Sequence, residues 1–184
     1  MNEIGTDPDA FEAFYREHLQ FVRSFVARRV ADPHTAADLT AEIFLAVIES
    51  ANRYRASRGA PIAWLAGIAR NVVASHVRKQ ARELRAVSRV SGQALLDDAS
   101  LERITDRIDA ERSTRALYRC LDALPAKQRG VVELVAVDGL TLAQAAAALG
   151  IAPGTARTRY HRARTRLQSE LRPELRTQLS EVTP

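Results

Sequence analysis

The chain has 184 residues, 46% of them hydrophobic and 27% charged, with only 8 Gly and 7 Pro. That composition builds packed cores and excludes collagen-like and wholly disordered classes, while the length permits one large domain or two small ones. Lys and Arg total 27 against 22 Asp and Glu, a formal +5 with a pI near 10.0, which is a long-range bias toward polyanions. The single cysteine, Cys120, excludes an intrachain disulfide and a cysteine-based zinc site and fits a reduced setting. Residues Met1 to Asp7 lack a basic segment followed by an apolar run, so no secretory signal is expected. The most apolar stretch, Val131 to Pro153, is interrupted by Glu133, Asp138, Gly139, Gln144 and Gly150, too often for a bilayer span. The expected location is the cytoplasm, with no direct membrane insertion.

Strand signals are nearly absent, and the expected fold class is all-α. From Asp9 to about Val30, Phe11, Phe14, Tyr15, Leu19, Val22, Phe25 and Val26 recur at steps of three and four, the mark of an amphipathic helix that stops before Asp32-Pro33. Thr35 is the expected cap of a second helix carrying Leu39, Ile43 and Val47 to about Ser50, with Asp38 near its start. A polar loop, Asn52 to Gly59, follows. Pro61 suits the first turn of a third helix in which Trp64, Leu65, Ile68, Ala69, Val72 and Val73 form one apolar arc.

Charge then changes abruptly. Ala69 to Arg89 holds six Lys/Arg (Arg70, Arg78, Lys79, Arg82, Arg85, Arg89) against Glu83 alone, whereas Asp97 to Glu111 holds six acids against Arg103 and Arg107. Residues 87–108 therefore read as an acidic, flexible linker between two small helical domains, 1–86 and 109–175, with a tail at 176–184. The second domain runs through Leu117, Leu121 and Leu124, breaks at Pro125 and resumes as Gln128 to Val137.

The most informative segment is Thr141 to Arg164. A capped helix, a turn at Gly150 and a second helix opened by Pro153 form a helix-turn-helix pattern. On a helical wheel Ala156, Tyr160, Ala163 and Leu167 share one face, which must be buried. Arg157 and Arg164 fall on one shoulder, Arg159 and Arg166 on the other, and Thr158, His161, Arg162 and Thr165 point outward. Five arginines and no acid lie between Pro153 and Ser169. That face suits a DNA groove, with outward side chains at base edges and shoulder arginines at phosphates. Enzyme chemistry finds no support: His18, His34, His76 and His161 are scattered, and no metal spacing, Gly-rich phosphate loop or nucleophile constellation is present. No cofactor and no metal are expected.

With both halves in view, the chain resembles the extracytoplasmic-function (ECF) sigma factors of bacterial RNA polymerase in their minimal two-domain form. Phe11 to His18 resembles the opening helix of the family's region 2, Ala37 to Phe44 its polymerase-binding helix, and Trp64 to Arg78 the segment that opens and reads the −10 element. Leu121 to Arg129 and the helix-turn-helix resemble region 4. Departures from the common pattern are Ala41 for glutamine, Ser75 for aspartate, Gln144-Ala145 for Glu-Ile and Ala156 for valine.

The resemblance implies an alternative sigma factor whose partners are core RNA polymerase, promoter DNA and an anti-sigma factor. It implies core-polymerase contact through Asp38, Leu39 and Glu42, although Asp38 would also serve simple helix-start electrostatics. It implies −10 contacts from Tyr54, Arg55, Arg58, Arg70, Asn71 and Arg78. Of these, the Asn71 amide presents both donor and acceptor to a base, while Arg70 and Arg78 suit phosphate. It implies −35 contacts from Thr155, Arg157, Thr158, Arg159, His161 and Arg162. Trp64, beside Leu65 and Ile68, reads as core. The rival readings are a stand-alone helix-turn-helix regulator and a protein-interaction module whose basic helix docks an acidic partner.

Overall fold

A computed structural model describes residues 2–91 and 120–170. The chain divides into two compact units, residues 1–103 and 104–184. Among the described residues every regular element is a helix or a helical turn, as the all-α expectation requires. Side chains of residues 2, 84–91 and 170, and the whole of residues 1, 92–119 and 171–184, lie outside the description. Most of the expected acidic linker and the tail fall there.

In the first unit a 3-10 turn (Asn2–Gly5) leads into α1 (Pro8–Ala27). The Asp7 carboxylate accepts from the Asp9 N–H at 3.0 Å, and Pro8 opens the first turn, where a missing N–H costs nothing. Phe14, His18, Val22, Phe25 and Val26 form the inward stripe. The helix ends three residues before the expected Val30. There Arg29 lies over the Phe25 ring at 3.6 Å and donates to the Phe25 carbonyl at 2.9 Å, satisfying an acceptor that the last turn leaves open.

Helix α2 (Pro33–Ser50) corrects one expectation: its cap is Asp32, not Thr35. The Asp32 carboxylate accepts from the Thr35 N–H at 2.7 Å and the Thr35 hydroxyl at 2.6 Å. Those two bonds hold its carboxyl below the ordinary carboxylate range. The Asp32-Pro33 pair that reads as a helix stop is thus also a start, since an acid at the cap and proline at the first helical position are both favoured there. With the helix beginning earlier, its first turn holds no acid, and Asp38 is too far along to serve helix-start electrostatics.

Two 3-10 turns, Ala51–Arg53 and Ala56–Arg58, connect to α3 (Pro61–Ser91). Val22, Phe25, Val26, Ile43, Val47 and Leu65 are fully buried among the three helices, each contributing about 1.5–3 kcal/mol relative to exposure. Residues 87–91, read as the beginning of the linker, continue α3. Between Arg78 and Ser91 there is neither proline nor glycine, and Ala81, Glu83 and Arg85 have high helix propensity.

In the second unit residues 120–122 are helical. Pro125 then caps α4 (Ala126–Val132), two residues ahead of the expected restart at Gln128. A π-helical turn, Glu133–Val137, follows directly. The helix-turn-helix is α5 (Leu142–Leu149) and α6 (Pro153–Glu170). At the start of α5 a reciprocal capping box forms: the Gln144 N–H donates to the Thr141 hydroxyl at 3.2 Å, and the Thr141 N–H donates to Gln144 Oε1 at 2.8 Å. Gln144, a departure from the common family residue, therefore does what a glutamate would do there. Gly150 has φ 63° and ψ 34°, left-handed values that favour glycine. The turn lets Gly150 and Ile151 donate to the Ala147 and Ala146 carbonyls at 3.1 and 3.0 Å.

Two apolar clusters hold this unit: Leu121, Leu124, Val132, Ala163 and Leu167, and Val131, Ala146 and Ala156. Tyr160 packs against both. Ala145, Ala146, Ala156 and Ala163 are essentially inaccessible, so small side chains sit where the helices approach, and larger ones would overpack.

Candidate functional site

Helix α6 presents the face that its sequence pattern requires. Ala156, Ala163 and Leu167 are buried, whereas Thr155, Arg157, Thr158, His161, Arg162, Thr165 and Arg166 are exposed and Arg159 and Arg164 are half-buried on the flanks. The Thr158 hydroxyl donates to the Gly154 carbonyl at 3.0 Å and the Thr165 hydroxyl to the His161 carbonyl at 3.1 Å. Each oxygen keeps lone pairs directed outward but its proton is engaged, so these threonines meet a ligand first as acceptors and methyl groups. Arginines supply the donors. Five guanidinium groups with no acid between Pro153 and Ser169 offer both charge for phosphates and forked donors for guanine edges.

In the first unit Arg70, Asn71 and Arg78 are all exposed on α3. At 100° per residue, Asn71, Ser75, Arg78 and Arg82 line up along one outward stripe, with Trp64 at its head, whereas Arg70 lies on a separate flank. Ser75, noted in the sequence as a departure from aspartate, and Arg82 are exposed members of this stripe outside the expected contact set; the i, i+4, i+7, i+11 spacing from Asn71 is the signal that finds them. Trp64 is half-buried and meets Tyr54 edge-to-face with ring centroids 5.4 Å apart. The loop residues Arg55 and Arg58 are exposed. Tyr54 is not: it is only 9% exposed, and its hydroxyl donates to the Gly59 carbonyl at 3.1 Å. The expectation of a direct DNA contact from Tyr54 is corrected accordingly, because an aromatic body packed on Trp64 with its polar end already bonded inside the loop presents no reading surface.

On α2, Asp38 and Glu42 are exposed one turn apart. Leu39 is 2% exposed and points into the core with Ile43 and Val47, so its expected place among the contact residues is also corrected. Asp38, Glu42, Leu45 and Glu49 instead form one outward stripe. Leu45 is the most exposed large apolar side chain among the described residues, at 59%. It borders a groove of about 920 Å³ between α1 and α2, lined by Phe11, Tyr15, Ala37, Ala41, Phe44 and Ile48 among others. Ala41, the departure from glutamine, lies in that groove. An apolar trough beside an acidic edge suits a protein partner with a basic margin.

Among the described residues no group of histidine, cysteine or acidic side chains is placed to hold a metal. No described helix is long and apolar enough to cross a membrane.

Comparison with known proteins joins these surfaces. Residues 14–83 match Sigma-70 region 2 and residues 114–167 match Sigma-70, region 4. The ECF RNA polymerase sigma factor SigK of Mycobacterium ulcerans (strain Agy99) is 34% identical over 151 residues, 82% of this chain and 80% of that protein. The ECF RNA polymerase sigma factor SigD of Mycobacterium bovis is 36% identical over 165 residues, 85% of this chain and 76% of that protein. Among solved structures, the sigma factor RpoE of Bartonella quintana, determined with the anti-sigma factor NepR, is similar with a TM-score of 0.59 and 27% identity, covering 86% of this chain and 96% of that one. Two helical units in the order region 2 then region 4, together with relatives matched across most of their length, place the chain in the ECF sigma factor family, as an alternative sigma factor of RNA polymerase.

Proposed function

We propose that this chain binds core RNA polymerase through the Asp38/Glu42 edge and the adjoining α1–α2 groove, and that its two units read the two elements of a promoter. The observation that carries the reading is α6: a buried alanine face opposite an exposed face of arginine, threonine and histidine, with no acid between Pro153 and Ser169. Arg162 reads bases of the −35 element, with Thr155, Thr158 and His161 beside it, while the shoulder residues Arg157 and Arg159 grip phosphate. A bidentate arginine–guanine pair discriminates by about 1–3 kcal/mol, whereas phosphate contacts set affinity and its salt dependence.

At the −10 element a base must leave the stack, which costs a few kcal/mol and is offset by contacts to the flipped base and the strand. Asn71 is the base reader on α3, Arg70 and Arg78 hold the backbone, and Arg55 and Arg58 extend the positive surface into the loop. The chain acts as an initiation factor in the cytoplasm, and catalysis belongs to the polymerase. An anti-sigma factor is the proposed regulator, supported by the similarity to RpoE, which was solved with one.

Duplex promoter binding with and without core polymerase tests the proposal. The sigma reading requires specific binding that depends on the polymerase and covers two separated elements. Tight binding by the chain alone at a two-fold symmetric site would replace it with the stand-alone regulator.

A further inference from the structure

The loop between α2 and α3 is cross-linked by short-range hydrogen bonds, three of them at Tyr54. The tyrosine hydroxyl donates to the Gly59 carbonyl, five residues on, at 3.1 Å, and its ring stands edge-to-face against Trp64 of α3. The Arg55 guanidinium folds back: one nitrogen donates to the carbonyls of Asn52 and Tyr54 at 2.8 and 3.0 Å. Inside the closed ring of chain, the Arg58 N–H donates to the Arg55 carbonyl at 2.9 Å and the Gly59 N–H to the Ala56 carbonyl at 3.2 Å. Gly59 itself has φ 142° and ψ 169°, a conformation essentially closed to residues with a Cβ. Asn52, Arg53, Arg55, Ser57 and Arg58 are left exposed on the outside of this closure.

We propose that Tyr54 and Gly59 form a lock that presets this loop for capturing single-stranded −10 DNA, making Tyr54 a positioning residue and Arg55 partly one. The inference rests on the assignment of the loop and α3 to the −10 element. Its physical content is preorganisation. A loop that samples several shapes binds with an affinity reduced by the fraction of time it spends in the competent one, and the strand captured here must already repay the loss of base stacking. The lock removes that reduction before DNA arrives. It also ties the loop to the start of α3 through Trp64, two turns ahead of Asn71, so loop and base reader move as one surface.

The test uses the full chain and its Tyr54→Phe and Gly59→Ala variants. Phenylalanine keeps the ring on Trp64 and deletes only the hydroxyl; alanine disturbs the acceptor side. Hydrogen exchange at the Arg58 and Gly59 amides reads the lock without DNA. Binding of the polymerase-bound chain to a fluorescent single strand carrying the −10 sequence of a promoter it uses reads its consequence. Both variants should exchange faster at those amides and bind the strand about three- to tenfold more weakly, with core-polymerase affinity unchanged in Tyr54→Phe. Unchanged exchange in Tyr54→Phe overturns the lock. Faster exchange with wild-type strand affinity overturns its role in capture. Parallel losses of strand affinity, core affinity and melting temperature overturn it in favour of simple structural support. Failure of the unaltered chain to bind the strand overturns instead the −10 assignment on which the lock rests, and exchange data still show whether the lock exists.

Discussion

Replacing Gly150 by alanine isolates the backbone demand of the helix-turn-helix from its packing. A Cβ built at Gly150 meets nothing within 4 Å, so the substitution creates no clash and removes no side chain. What remains is the conformation, φ 63° and ψ 34°, in which an L-residue loses roughly 1–2 kcal/mol. The smaller entropic gain from stiffening the unfolded chain, about 0.4–1 kcal/mol, offsets part of this, leaving a net loss of about 1 kcal/mol. For a unit of this size that is a fall of roughly 4–8 °C in melting temperature. Gly154 supplies the control. It too has open space at its Cβ but no left-handed φ, and it lies in the first turn of α6. Gly154→Ala should therefore leave the unit unchanged or stabilise it, by up to about 1 kcal/mol. Thermal unfolding followed by circular dichroism reads both variants, while fluorescence of the single tryptophan, Trp64, follows the first unit separately. Equal melting temperatures for the two alanine variants would refute the reasoning, as would a Gly150→Asn variant no better than Gly150→Ala, because asparagine tolerates the left-handed region.

His18 is buried beside the edge of Phe14, with ring centroids 4.3 Å apart, and desolvation lowers its pKa below 6.5 despite the opposing pull of Glu17. The unfolded chain thus takes up the proton first: stability is full above pH 6.5 and declines as pH falls from there through the folded-state pKa, so His18→Leu should flatten that part of the melting-temperature profile. Glu42→Lys should weaken core-polymerase binding about tenfold at low salt, with the difference shrinking as salt rises, measured by titration of labelled protein. Arg157→Ala should lower the slope of log affinity against log salt by about one without changing base preference, whereas Arg162→Ala should relax preference at one −35 position, both read by promoter-library binding of the polymerase-bound protein.

Much of this was legible in the sequence because α6 obeys a strict period. Ala156, Ala163 and Leu167 are buried where the wheel puts them, and the Gly150 turn, the Thr141 start and the Pro153 opening all coincide with their signals. The misses share a cause, which is that one residue type serves two physical roles. Proline after Asp32 reads as a stop, yet the same pair starts α2, and this shift alone moved Asp38 out of the first turn. Tyr54 amid arginines reads as part of a binding loop, but its apolar ring found Trp64 and its hydroxyl found Gly59, a contact between neighbouring elements that no local pattern encodes. Leu39 shares a stretch with Asp38 and Glu42 while pointing the other way. The π turn at Glu133–Val137 has no composition signal of its own. The α1–α2 groove arises from two helices together and was invisible in either.

In the proposed function, two units of one chain read two separated promoter elements for a shared polymerase. Transcription start sites mapped on a genomic promoter pool, with core polymerase alone and with this chain, Arg162→Ala or Asn71→Ala, test this. Start sites should appear only with the chain and share two elements at fixed spacing, with Arg162→Ala loosening the upstream element and Asn71→Ala the downstream one. No new start sites, or loosening of the same element by both variants, would contradict it.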